Sequence, residues 1–394
     1  MKGSAQESLS KLIKKYKINR VVWNRLYSKK SISRDTKIKQ DLKEKNIEVE
    51  TFNAHLLNEP WEVQNNSGLY FKVFTPYWRK AFDVYKAKKY QITSLKSIDP
   101  LEHNEKTQWN FLPSKKWYQK FSNYWKPGEE AALEKLKYYI NNHIDNYKEG
   151  RDRPDLDQTS RLSPHLRFGE ISPRMIVNQV IKSKKLDISS LTFLSEIGWR
   201  EFSYSLLYYS KDLSTMPINE KFSKFPWRKN EKDLNLWKKG KTGIPLIDAA
   251  MRQIYDNGWM HNRLRMVVGS FLVKNLLLNW TYGERYFQNT LLDYDEASNA
   301  AGWQWIAGCG ADASPYFRVF NPVLQSERFD PQAKFILKYL PDLEELKKPS
   351  LIFQPYLSEE SLNNLVKNNQ YYYPIVDLKD SRNRALEAYQ RIKS

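Results

Sequence analysis

Three stretches collect side chains that an ordinary core would not. In "GWMHNRLRMVVGSFLVKNLLLNW", residues 258–280, Val267, Val268, Phe271, Leu272, Leu276 and Leu277 recur at three and four, the spacing of a helix with one buried face. Its first turns carry Asn262, Arg263 and Arg265 beside Trp259 and Met266. An amide and two permanent cations there point to a ligand, because a purely structural helix gains little from them. In "LDYDEASNAAGWQW", residues 292–305, Asp293 and Asp295 stand two apart, ahead of Asn299, Trp303 and Trp305. Paired loop acids are commonly just solvated. Opposite Arg265 in a buried site, one can lock an ion pair while the other accepts a hydrogen bond from a polar ligand edge. In "YKEGRDRPDLDQTSRLSPHLRFGEISPR", residues 147–174, Thr159, Ser160 and Arg161 precede a helix predicted to have Ser163 as its cap and Pro164 as its first residue. Hydroxyls, a guanidinium and free N–H groups at a helix start suit a diphosphate. Ordinary capping accounts for the same residues equally well.

The elements that must position these groups fall into two kinds. Residues 6–16 and 33–45 read as amphipathic helices, and "INRVVW" and "IEVETF" as strands between and after them. That alternation implies a parallel sheet with crossover helices. Residues 88–127 lose periodicity, and from Glu129 the pattern is helical to about residue 345, with a short amphipathic helix in the last stretch. The predicted architecture is an α/β N-terminal unit with an incomplete Rossmann-like parallel sheet (1–87), a linker (88–128) and a large all-α C-terminal domain (129–394).

Composition narrows the partners. The formal charge of +19 favours a polyanion, since Lys and Arg that neutralise phosphates release counterions, although a solvated basic surface has the same sum. Thirteen Trp and 25 Tyr exceed what a core requires and suit stacking on bases or on a planar cofactor. One cysteine excludes a disulfide framework, and His55, His103, His143, His165 and His261 lack metal-ligand spacing, so no metal is expected. No apolar run could span a bilayer and the start lacks a signal-peptide segment, which predicts a cytoplasmic protein without membrane contact. "GKTG" at 240–243 fails as a phosphate loop because Asn235 stands where glycine is needed, and "GCGADA" at 308–313 has no βαβ unit around it.

"TGIPLIDAAMRQI" (242–254), "NRLRMVVGSFLVKNLLLNW" (262–280), "SEIGWREF" (195–202) and "GWQW" (302–305) closely resemble the DNA photolyase and cryptochrome family. "TSRLSP" and "VFTPYW" (73–78) extend the likeness through nearly the whole chain, which is most similar to class I cyclobutane pyrimidine dimer photolyases. The resemblance implies FAD, bound non-covalently and bent into a U within the helical domain. Tyr147 and the loop Thr159, Ser160, Arg161, Leu162 and Ser163 match its phosphate and ribitol contacts. Asn262, Asp293, Asp295 and Asn299 match positions around the adenine and the isoalloxazine, Arg265 the arginine that pairs with the acid at Asp293, and Asn299 the residue beside flavin N5. Photolyases split the dimer with an electron from excited reduced flavin after flipping the lesion out of the duplex. By the same likeness Glu196 would hold the base edge, Trp199, Met266 and Trp305 would form apolar walls, and Arg263, Arg318 and Gln325 would hold UV-damaged DNA by its backbone. Trp227, Trp280 and Trp303 match the tryptophans that carry an electron to oxidised flavin, and Lys211–Lys241 suits a DNA-facing rim.

The sequence begins at what resembles the helix before the family's third strand, so a shortened N-terminal unit is expected. The folate-contacting Asn-Glu pair of some members stands here as Lys30 and Ser31, which argues against an antenna pocket for methenyltetrahydrofolate or a deazaflavin. The resemblance implies a monomeric repair enzyme. The alternative is a cryptochrome-like blue-light photoreceptor without repair activity, and a third reading is a basic helical nucleic-acid binder with a degenerate flavin site. Asn299 leans toward repair.

Overall fold

The computed structural model describes residues 3–88, 111–183, 186–316 and 318–392. The chain opens with α1 (Ala5–Tyr16), β1 (Arg20–Asn24), α2 (Lys29–Glu44) and β2 (Glu48–Phe52). β1 and β2 pair in parallel from Arg20 opposite Glu48 to Asn24 opposite Phe52, the geometry that a crossover helix imposes. α2 starts earlier than its periodicity predicts, because Ser28 Oγ accepts a hydrogen bond from Ser31 N at 3.3 Å and caps it. α3 (Phe74–Ala87) follows.

The remaining helices are α4 (Glu129–Asn142), α5 (Tyr147–Gly150), α6 (Ser163–Phe168), α7 (Pro173–Ser183), α8 (Ile188–Tyr209), α9 (Glu231–Lys238) and α10 (Pro245–Asn257). They continue as α11 (Asn262–Ser270), α12 (Trp280–Thr290), α13 (Glu296–Ala307), α14 (Pro322–Phe329), α15 (Lys334–Tyr339), α16 (Pro349–Phe353), α17 (Glu359–Lys367) and α18 (Leu378–Gln390). Helical structure thus continues past residue 345 through α16 and α17, which were not predicted. Two boundaries also differ from expectation. Leu162, not Ser163, is the residue before α6, and Pro164 sits one place further into the first turn. The apolar run after α11 is not one helix: Phe271–Asn275 winds as a π-turn, Leu277 takes φ of 58°, and Trp280 opens α12 instead of closing α11. That segment is enclosed on all sides, with Phe271, Leu272, Val273 and Leu276 fully buried, so a single-face helical period does not describe it.

A buried polar joint ties the segment after β2 to α8. Glu201 Oε2 on α8 accepts from Leu57 N at 2.8 Å and Asn58 N at 3.3 Å, while Arg200 Nη1 donates to His55 O at 2.5 Å. Burial pushes the Glu201 carboxyl up to about 7, against the opposing pull of Arg200 and the two amides. Of the expected linker, residues 89–110 lie outside the described part. Its described end is bound to α10: Trp117 stacks on Tyr255 at 5.7 Å, and Trp125 Nε1 donates to Asn257 O at 2.7 Å.

Candidate flavin and DNA site

The polar head of α11 meets the loop before α13. Arg265 Nη2 donates to Asp293 Oδ1 at 3.0 Å and to Oδ2 at 2.7 Å, and Arg265 Nε donates to Met260 O at 2.8 Å. The Asp293 side chain is almost fully enclosed, so the pair fixes the guanidinium in one place. The second acid has a different task. Asp295 Oδ1 accepts from Ser298 N at 2.9 Å as the cap of α13, and its Oδ2 accepts from Tyr204 OH at 2.5 Å. Each oxygen thus already accepts one hydrogen bond from the protein, and each keeps a further lone pair.

Asn299, one turn into α13, directs its amide nitrogen at Glu284, donating to Oε1 and to the carbonyl O, each at 3.1 Å. That leaves the side-chain carbonyl as its end for a ligand N–H. Burial raises the Glu284 carboxyl above its ordinary range, against the pull of the Asn299 bond. Glu284 escaped the sequence reading. The signal was present: Trp280, Gly283, Glu284 and Phe287 form the buried face of α12, so an acid falls where the period demands an apolar residue.

The loop predicted to bind an anion lies against the residues that precede α11. Ser163 Oγ accepts from Trp259 Nε1 at 3.2 Å, and the Arg161 guanidinium lies 5.2 Å from the Trp259 ring. Arg161 takes φ of 50°, pairs with Asp157 at 3.0 Å and keeps a buried Nε without a hydrogen-bond partner among the described residues. Ser160 Oγ accepts from Leu162 N at 3.4 Å, a local turn bond, and Thr159 is half-buried beside it. Tyr147 is buried edge-on against Phe193 at 5.4 Å.

Trp303 and Trp280 are both enclosed, and Trp227 is half-buried. α12 carries Trp280 and Gly283, and a Cβ built on Gly283 would lie 2.1 Å from the Trp303 ring, so α12 and α13 touch at the ring itself. Trp227 joins the same region through its neighbour, since Arg228 N donates to Leu277 O at 2.8 Å. Exposure therefore rises from Trp303 and Trp280 to Trp227. Trp237, which the sequence reading passed over, packs edge-on to Trp303 at 6.3 Å.

The residues assigned to DNA are placed unevenly. Glu196 Oε1 accepts from Arg151 Nη1 at 2.6 Å, and burial raises its carboxyl above the usual range against that pairing. Trp199 stacks flat on Phe74 at 3.8 Å, which leaves one face for a ligand. Met266 and Trp305 are half-buried against the main core, and Asn262 is exposed at the start of α11. Arg318 is exposed, and its backbone carbonyl is held by Lys274 Nζ at 2.7 Å. Gln325 keeps a buried side-chain oxygen without a partner. Arg263 departs from expectation: it is largely enclosed, pairs with Asp152 at 2.6 Å and lies 4.5 Å from the Phe329 ring, so it does not present a free cation.

Residues 1–96 match the DNA photolyase family model, and residues 193–391 match that of the FAD binding domain of DNA photolyase. A deoxyribodipyrimidine photo-lyase of Agrobacterium fabrum is 42% identical over 99% of this chain and 83% of its own length.

This chain belongs to the DNA photolyase/cryptochrome family.

Among solved structures of the family, a bacterial class III photolyase from Agrobacterium tumefaciens superposes with a TM-score of 0.90 at 40% identity, covering 99% of this chain and 83% of the other. The likeness to class I photolyases seen in the sequence therefore does not fix the class. Cryptochrome-1 of Arabidopsis thaliana is 33% identical over 98% of this chain and 59% of its own length. Among the described residues no helix is long and apolar enough to cross a membrane, and no cluster of His, Cys, Asp or Glu could hold a metal ion. The residues present fit the family's FAD: a fixed arginine–carboxylate pair, an amide carbonyl facing away from Glu284, and a buried Arg161 Nε that lacks a partner.

Proposed function

We propose that this chain repairs cyclobutane pyrimidine dimers in UV-damaged DNA under blue light, acting as a monomer in the cytoplasm. We keep the division into an α/β unit (1–87), a linker (88–128) and a helical FAD- and DNA-binding domain (129–394). The carrying observation is that α13 contacts both α11 and α8, which draws the Arg265–Asp293 pair and Asn299 toward Glu196 and Trp199. Bound FAD would supply the light-driven one-electron chemistry, and Tyr147, Thr159 to Ser163, Arg265 and Asn299 would hold it.

The protein's own residues do the rest. Arg265, locked by Asp293 and Met260 O, would offer its remaining guanidinium donors in one fixed orientation, at no cost in reorganisation. The Asn299 carbonyl accepts from the flavin edge while Glu284 holds its amide. Thr159 to Ser163 and Tyr147 receive the diphosphate and ribitol. Glu196, whose raised carboxyl is the easier to protonate, donates to or accepts from the edge of a flipped base. The free face of Trp199 together with Met266 and Trp305 excludes water from it. Trp303 and Trp280, both buried, and Trp227, half-buried, would carry electrons between the surface and the helical domain.

The match to Cryptochrome-1 supports a second reading, a photoreceptor that does not repair. Illuminating the FAD-loaded, reduced protein with an oligonucleotide that carries one thymine dimer, beside a dark control, separates the two. Repair predicts light-dependent loss of the dimer, slowed by Glu196→Ala. A flavin-loaded protein that leaves the dimer intact in the light belongs with the photoreceptors.

A further inference from the structure

Four charged side chains run in one line between α8 and α11. Glu196 Oε1 accepts from Arg151 Nη1 at 2.6 Å, Arg151 Nε lies 4.0 Å from Asp152 Oδ1, and Asp152 Oδ2 lies 2.6 Å from Arg263 Nη2. Two cations and two anions alternate, so the line is neutral as a whole. Its ends are the residues proposed to meet the flipped base and the DNA backbone. Neither Arg151 nor Asp152 has a part in that scheme. The line is only partly screened by water, with side-chain exposures between 16% at Arg263 and 32% at Asp152. Arg263 also keeps a buried Nε without a hydrogen-bond partner among the described residues, although a carboxylate sits at the other end of the same guanidinium.

Building on the repair reading, we infer that Asp152 is an internal counterion that withholds Arg263 from intact DNA and releases it when a lesion engages Glu196. A guanidinium fork accepts a carboxylate and a phosphate in the same geometry, so the two compete for Arg263. While Asp152 holds it, a passing phosphate gains no net cation. Once a base edge takes the Glu196 carboxylate, Arg151 loses its 2.6 Å partner and has Asp152 within 4.0 Å to turn to. Asp152 then exchanges Arg263 for Arg151, and Arg263 is free for the backbone. Recognition of the base is thereby coupled to the affinity for phosphate, and Asp152 contributes specificity without touching DNA.

The test is a fluorescence-anisotropy titration of the FAD-loaded protein with intact and thymine-dimer duplexes across a range of salt. One additional phosphate contact steepens the dependence of log K on log salt by about 0.9, which is about eightfold in affinity at roughly 0.1 M salt. Asp152→Asn should bind the intact duplex more tightly by about that factor, with the steeper slope, and the dimer duplex nearly as before. Discrimination then falls by the same factor. Asp152→Glu should keep the parental slope, and Asp152→Asn combined with Arg263→Gln should lose the gain. Misfolding cannot imitate this, because a smaller folded fraction lowers apparent affinity and does not steepen the slope. An Asp152→Asn protein with the parental slope, or with weaker binding to the intact duplex, overturns the inference. Absence of any preference for the dimer in the parent protein strikes instead at the repair reading.

Discussion

Replacing Gly283 with alanine tests the contact that joins α12 to α13. The added Cβ would stand 2.1 Å from Trp303 Cη2 and 2.5 Å from Cζ2 and Cζ3. Ordinary carbon–carbon contact begins near 3.5 Å, so the ring must retreat by roughly 1.4 Å. It has little room to do so, since Phe287 lies 5.0 Å and Trp237 6.3 Å from its centroid. Overpacking of this kind costs about 1–3 kcal/mol, while alanine in place of glycine within a helix returns roughly 0.5–1 kcal/mol. The clash wins, and Gly283→Ala should be destabilised by up to about 2 kcal/mol. Gly302 is the control: it lies in α13 beside Trp303, and its Cβ would meet nothing within 4 Å. Gly302→Ala should therefore be stabilised by about 0.5–1 kcal/mol. Denaturant midpoints of the two variants measure the difference, and photoreduction of the bound flavin, slowed in Gly283→Ala alone, reports the displaced ring. Equal midpoints for the two variants would refute the packing argument.

Asp293→Asn leaves the Arg265 guanidinium beside a neutral amide in an enclosed site. Breaking one side of a buried pair costs about 3–5 kcal/mol, and the 26% exposure of the Arg265 side chain puts this case at the lower end. Urea unfolding and flavin absorbance should both register it, and a variant that matches the parent in both shows the pair to be dispensable. Burial pushes the Glu201 carboxyl up to about 7 from an ordinary value of 4.5, so its contribution to stability is complete below 4.5 and is lost as pH rises through 7. Glu201→Gln, neutral throughout, should flatten that decline. Unfolding curves at a series of pH values that fall as steeply as the parent's would rule the carboxyl out as their cause.

The local elements were legible wherever one period dominated. The amphipathic spacing over residues 6–16 located α1 to within a residue, and alternation with crossover helices announced the parallel pair β1–β2. Legibility failed where burial surrounds a segment. Phe271 to Asn275 is buried on every side, Lys274 and Asn275 included, so nothing in the spacing distinguishes an α-helix from the π-turn that actually forms. Glu284 went unread although its place on the buried face of α12 was the informative fact.

The amino-acid order by itself determined the helical and strand periods, the polar head at Asn262 to Arg265, the acids ahead of Asn299 and the likeness to a light-driven repair family. Those are properties of neighbours within one or two turns, or of long matching runs. What each charge pairs with was decided only by the tertiary structure. Asp293 and Asp295 are of one type and two residues apart, yet one neutralises Arg265 and the other caps α13 and takes the Tyr204 hydroxyl. Arg263 and Arg265 are likewise two apart, and they end on Asp152 and Asp293, far apart in the chain. Alternate residues on a helix point in different directions, and a charge held away from water takes whichever opposite charge the packing of distant helices brings to it.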